Sequence, residues 1–234
     1  MSQDGASRRR RGPAVRLVAP VAATLALVAA SCGGGPASSP ASPTSAVPST
    51  FPSDYLAGSS QVPALEEMLA DKRIGNADAP NVVIQYSSLG CSHCADFHTQ
   101  SLPTLKRQYL DTGMATYIYR EFPLDRTSLL GGMVARCAGD GRYFAVLDVI
   151  YGTQVTWAST SDTWGALQKV LRSAGLAQSL VDACIATDGL EQGVTAIRQQ
   201  GADTWGVNAT PTFIVNGTKV VGNVPLAQLT GYFK

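Results

Sequence analysis

Cys91-Ser92-His93-Cys94 stands where a β-branched run gives way to an amphipathic one, and no other feature of the chain limits its fold so sharply. Asn81 to Tyr86 (NVVIQY) is mostly apolar, the pattern of a buried strand. Gly90 supplies a turn. From Ser92 to about Leu110 the spacing is helical, with Cys94, Phe97, Ser101 or Leu102, and Leu105 on one side; Pro103 is expected to kink the helix. A C-x-x-C that opens a helix has redox chemistry built into its position. The first turn of a helix carries unsatisfied N–H groups and a partial positive charge, which stabilise a thiolate on Cys91. His93 adds positive charge when protonated. Stabilising the thiolate stabilises the dithiol, so the disulfide becomes a stronger oxidant; 30 mV of potential corresponds to about 1.4 kcal/mol for a two-electron couple. Cys91 is expected to be exposed and to attack, and Cys94 to resolve the mixed disulfide. A static disulfide is one alternative. A zinc or copper site is another, since Cys94 and His98 are four apart on one helical face. Structural metal sites draw on two chain segments, however, and no second C-x-x-C or H-x-x-H occurs. No metal and no cofactor are expected, and His98 is expected to be a surface residue.

The rest of the chain reads as α/β. Pro63 to Ala70 suits a short amphipathic helix, and Ala115 to Glu121 (ATYIYRE) a second strand. Thr127–Gly139, Tyr143–Tyr151, Asp162–Ser173, Gln178–Ala186 and Leu190–Gln200 each show helical spacing, interrupted at Gly139-Asp140-Gly141 and Gly175, with Asp162 or Thr163 as a cap. Thr212–Asn216, the Asn216-Gly217 turn and Lys219–Gly222 make a hairpin. Leu226 to Phe233 closes with a short helix. Trp157, Trp164 and Trp205 are expected to pack in the core.

Gly75-Asn76-Ala77-Asp78-Ala79-Pro80, the first strand, the C-S-H-C dithiol, Phe97, Pro103 and Glu121-Phe122-Pro123-Leu124 together resemble the DsbA/DsbG-type thiol-disulfide oxidoreductases of the thioredoxin superfamily. The resemblance runs from about Ile74 to the C-terminus. It implies a thioredoxin fold with an inserted all-helical domain, divided here as 63–124 and 190–234 for the core and 125–189 for the insertion. It also implies catalytic roles for Cys91, Cys94 and His93, and a cis-proline at Pro211 opposite the cysteines. The backbone ahead of that proline, at Thr210, would pair with extended substrate. The Thr210 hydroxyl beside the sulfurs resembles the isomerase-like members, whereas His93 favours an oxidase. Many relatives carry a buried acid six residues before the first cysteine; here that position is Gln85, which cannot titrate. Cys137 and Cys184, 47 apart and on inward helical stripes, resemble a structural disulfide of some relatives; two buried free thiols are the alternative.

Five cysteines leave one over, and the leader accounts for it. Residues 8–16 are basic, Leu17 to Ala30 is a 14-residue apolar run, and Ala29-Ala30-Ser31-Cys32 resembles a bacterial lipobox. The apolar run falls short of the ~20 residues that span a bilayer. Residues 1–31 therefore read as a signal peptide, with Cys32 the expected site of lipidation. Residues 32–62, rich in Pro, Ser and Ala, are expected to be a disordered tether. The formal charge is +1, but without the first 31 residues it becomes −3, so no basic face invites nucleic acid. The expected setting is extracytoplasmic, on a bacterial membrane through lipid. The expected partners are thiol-containing exported polypeptides and a membrane partner for reoxidation. A non-catalytic binding lipoprotein on the same fold is the rival reading.

Overall fold

The computed structural model describes residues 48–234. Five strands, β1 (Lys72–Gly75), β2 (Asn81–Ser87), β3 (Ala115–Glu121), β4 (Thr212–Val215) and β5 (Thr218–Val221), form one mixed sheet in the order β1-β3-β2-β4-β5. The central strand β2 runs parallel to β3, with Val83 opposite Tyr117, and antiparallel to β4, with Gln85 opposite Phe213. Strands covered on both faces need apolar residues at consecutive positions, as Asn81–Ser87 has. At the β4–β5 turn Asn216 (φ 49°) and Gly217 (φ 86°) both take the left-handed conformation that a two-residue hairpin demands. Edge strand β1, antiparallel to β3, carries no sequence signal: four residues, two of them basic, read as a loop.

Helix α1 (Leu65–Leu69) precedes β1, and α2 (Ser92–Asp96) begins at the dithiol. The expected kink at Pro103 takes another form: two single π turns, Phe97–Ser101 and Lys106–Leu110, bracket α3 (Leu102–Leu105). A proline has no N–H for the i→i−4 ladder. The intervening block comprises α4 (Arg126–Cys137), α5 (Asp140–Gly152), α6 (Gln154–Ala158), α7 (Thr163–Ser173) and α8 (Gln178–Ile185). Asp125 caps α4 through Ser128 N, and Asp162 caps α7 through Gly165 N. α9 (Leu190–Trp205) returns the chain to the sheet, and α10 (Leu226–Thr230) ends it. α9 crosses close enough that a Cβ on Gly201 would stand 2.4 Å from the Tyr86 ring. Trp157 is buried, while Trp164 and Trp205 are half-buried.

Cys137, at the end of α4, and Cys184, in α8, are joined by a disulfide with Cα atoms 5.8 Å apart. A buried ion pair lies nearby: Arg136 donates to Glu121 Oε1 (2.8 Å) and Oε2 (2.5 Å), and also to the carbonyls of Met68 and Ala70. It ties α4 to β3.

The tether expected over 32–62 differs in its described part. Leu56 is fully buried, its N–H donates to Ala174 O (2.7 Å), and Arg142 donates to the carbonyls of Leu56 (3.0 Å) and Ser59 (2.6 Å). Phe51 packs on the same core. Composition suggested a solvated segment because it averages over the residues that anchor it. The leader and Cys32 lie outside the described residues.

Candidate active site

Cys91 is the residue ahead of α2, with extended backbone (φ −81°, ψ 118°), and its carbonyl accepts from the N–H groups of Cys94 and Ala95, both at 3.1 Å. Its sulfur stands at the helix N-terminus, where the Cys94 and His93 N–H groups act on it. Cys91 Sγ lies 3.3 Å from the Thr210 carbonyl, and the Thr210-Pro211 bond is cis. Cys91 is half-buried rather than freely exposed, because the Thr210-Pro211 turn covers one side of it; Cys94 is fully buried. A hydrogen bond from the Cys94 thiol is the main influence on Cys91. Burial opposes it, and the Thr210 side chain and the N–H groups of Cys94 and His93 add to it, bringing the Cys91 pKa down from 9.0 to about 5. Burial pushes the Cys94 thiol strongly the other way. Thr210 Oγ1 is buried and has no partner while the thiol is neutral, which leaves it free to donate to a thiolate. His93 is exposed, its Nδ1 3.8 Å from an Asp96 carboxylate oxygen.

The helical block holds the turn that presents Cys91. Gln154 Nε2 donates to Leu89 O (2.6 Å) and to Cys91 O (3.1 Å). Ser128 Oγ accepts from Gly90 N (2.9 Å) and Ser88 Oγ (3.0 Å) while donating to Asp125 Oδ2 (2.6 Å). The approach is close: a Cβ on Gly90 would lie 2.8 Å from Asp125 Oδ2. α4 and α6 are thus part of the site and not an appendage to it.

The family model described as Thioredoxin matches residues 68–234. The chain belongs to the thioredoxin family. Its architecture is of the DsbA type, a thioredoxin sheet interrupted by a helical block. The crystal structure of alpha-DsbA1 from Wolbachia pipientis superposes with a TM-score of 0.64 at 28% identity, covering 69% of this chain and 87% of that one. The fold is also shared with DsbA of Chlamydia trachomatis, at TM-score 0.59 and 19% identity over 68% of this chain and 88% of that one. A Rickettsia bellii protein, provisionally named a protein-disulfide oxidoreductase, is 30% identical over 150 residues, 64% of this chain. The chain spans 58% of that relative's length.

Against this family's pattern, the structure brings Cys91, His93, Cys94, Thr210 and Pro211 to one place, with Cys137 and Cys184 apart from them in the helical block. His98 is a correction. It is buried, not on the surface, and its Nε2 lies 2.8 Å from Asp148 Oδ1. Helical spacing gave its face, but α5, which covers that face, is far away in sequence. Among the described residues no group of three His, Cys, Asp or Glu side chains converges as a metal site. Sequence reading missed Gln154, Ser128 and Asp148, single polar residues in helices that carry no motif. It also missed Ser87 and Tyr151 behind Cys94.

Proposed function

We propose that this protein is an extracytoplasmic thiol-disulfide oxidoreductase that exchanges disulfides with exported, thiol-containing polypeptides, working as an oxidase. One observation carries the reading. A half-buried thiol, ionised down to about pH 5, sits at a helix N-terminus beside a buried partner thiol and against a cis-proline turn. A thiolate stabilised in this way favours the dithiol form and makes the disulfide oxidising.

In the oxidising direction a substrate thiolate attacks Cys91 Sγ. The Cys91–Cys94 bond breaks, and its electron pair leaves on Cys94. A second substrate thiolate then attacks the substrate sulfur of the mixed disulfide, and Cys91 leaves as the stabilised thiolate. Two electrons and two protons leave the substrate dithiol; the protein keeps the electrons as its own dithiol. Cys94 thus departs from the resolving role expected from sequence. It is the leaving group during oxidation, and it attacks the mixed disulfide only in the reducing direction. Reoxidation needs a disulfide-bearing or quinone-linked acceptor at the membrane, to which lipid on Cys32 would hold the domain.

The partnerless Thr210 hydroxyl supports isomerisation as the second reading, because a donor beside Cys91 also favours release of a mixed disulfide. Cys94→Ser protein exposed to disulfide-bearing exported polypeptides should accumulate mixed disulfides through Cys91, detected by mass spectrometry. None would form on a binding module. The reduction potential of the Cys91/Cys94 pair separates the directions: a value near −120 mV indicates an oxidase, and one near −270 mV would overturn that choice.

A further inference from the structure

The reaction outlined above leaves unexplained a run of buried hydroxyls behind Cys94. Ser87 Oγ lies 2.8 Å from Tyr151 Oη, which lies 2.8 Å from Tyr119 Oη and 3.3 Å from Ser88 O. Ser87 and Tyr119 stand on neighbouring strands, and Tyr151 reaches them from α5 in the helical block. All three are buried. The Ser87 side chain and the Ser88 N–H both favour a charged Cys94 sulfur, and the same sulfur bears on Tyr119 and Tyr151 after the dominant effect of their burial.

Gln85 sets the direction of the hydrogen bonds. Tyr117 Oη donates to Gln85 Oε1 (2.6 Å), so the amide turns its Nε2 to Ser87 Oγ and donates there at 3.2 Å. Ser87 receives a hydrogen from Gln85, and its own hydrogen is free for either of two neighbours. When Cys94 is a neutral thiol, Ser87 donates to Tyr151, Tyr151 donates to Ser88 O, and Tyr119 donates to Tyr151. A negative charge on Cys94 would draw the Ser87 hydrogen to the sulfur, and the Tyr151 hydrogen would then turn to Ser87. Ser88 O still accepts from Cys91 N at 3.1 Å. Every hydroxyl hydrogen has an acceptor in both arrangements.

We propose that Ser87 and Tyr151 form a two-position hydroxyl switch that stabilises the Cys94 thiolate while the Cys91–Cys94 bond breaks or forms. The proposal rests on the oxidoreductase reading and supplies what that chemistry lacks at this site. Cys94 has to leave as an anion in a fully buried place, and a poorly stabilised thiolate leaves slowly. Substrate sulfur bonds to Cys91, the Cys91–Cys94 bond breaks, and the pair on Cys94 meets the Ser87 hydrogen. Cys94 then takes a proton from water entering on the Cys91 side. Ser87 is the catalytic donor, and Tyr151 positions it. Cys94 is uncharged before and after the step, so the switch changes rates in both directions and leaves the equilibrium alone.

The test uses Ser87→Ala and Tyr151→Phe in the full chain, with glutathione as the probe. Reduction of the oxidised protein, and attack by Cys94 on the Cys91–glutathione mixed disulfide, should each slow by about tenfold or more, the worth of one charge-assisted hydrogen bond. The double variant should be no slower than Ser87→Ala, since the two residues act in series. The equilibrium constant with glutathione and the Cys91 titration should match wild type. Wild-type rates in Tyr151→Phe, which keeps its ring in place, would overturn the switch even if Ser87→Ala fails to fold. An equilibrium constant that moves as far as the rates would overturn it too. Wild-type protein inert to glutathione would instead remove the oxidoreductase reading, a different result from reactive wild type with unaffected variants.

Discussion

Thiolate character at Cys91 comes from several donors meeting at one sulfur, and each can be removed singly. Alkylation of reduced protein should follow an ionisation near pH 5, far below the 9.0 of a free thiol. The folded state favours the thiolate, so its contribution is complete above about pH 9, where the unfolded chain ionises too, and is lost as pH falls through about 5. Urea unfolding of the reduced protein, compared with Cys91→Ser, should show the difference growing from pH 5 to pH 9. Thr210→Val keeps the shape of the side chain and removes its donor; the midpoint of Cys91 alkylation should rise by about one pH unit, roughly what a modest charged hydrogen bond is worth. At this scale the sequence was most legible where chemistry is local. Cys91 and Cys94 are readable from four consecutive residues. Thr210, 119 residues from Cys91, is readable only through the family resemblance. Gln154 carries no signal, because one glutamine in a helix looks like any other until Leu89 and Cys91 are beside it.

Secondary-structure elements are joined here by a few buried polar contacts. Glu121 on β3 and Arg136 on α4 are each almost wholly buried, and Tyr143 Oη adds a donor to Glu121 Oε1 at 2.8 Å. Arg136→Met would strand a buried carboxylate and should cost about 3–5 kcal/mol in chemical denaturation. Adding Glu121→Leu should recover much of that, since an apolar pair can replace a buried ion pair at little net cost. The helices of the block were readable because their apolar stripes repeat every three or four residues. α5 nonetheless begins at Asp140, because Gly139 (φ 80°) confines the expected break to one residue. β1 was not readable: a four-residue edge strand is defined by its partner β3 more than by its own residues.

Across the whole molecule, two further long-range ties hold the helical block besides the polar contacts already described. The Cys137–Cys184 bridge closes a 47-residue separation, and in the chain-entropy account its removal should cost about 4 kcal/mol. Cys137→Ala with Cys184→Ala should lower the melting temperature while leaving Cys91 alkylation unchanged. The second tie is the segment ahead of α1. Leu56→Ala should cost about 2–5 kcal/mol, as for other buried leucines, measured as a shift in the urea midpoint. A segment acting only as a tether would show no change. The sequence alone determined the strand–dithiol–helix unit, the run of amphipathic helices and the hairpin, because each is written in a periodicity or a turn within a few residues. Only the tertiary structure decided that α4 and α6 clamp the Cys91 turn, that His98 is covered by α5, that residues before 60 anchor the helical block, and that hydroxyls from β2, β3 and α5 meet behind Cys94. Those contacts join residues tens of positions apart, and a polar side chain does not encode in its neighbours which distant group will satisfy it once both are buried.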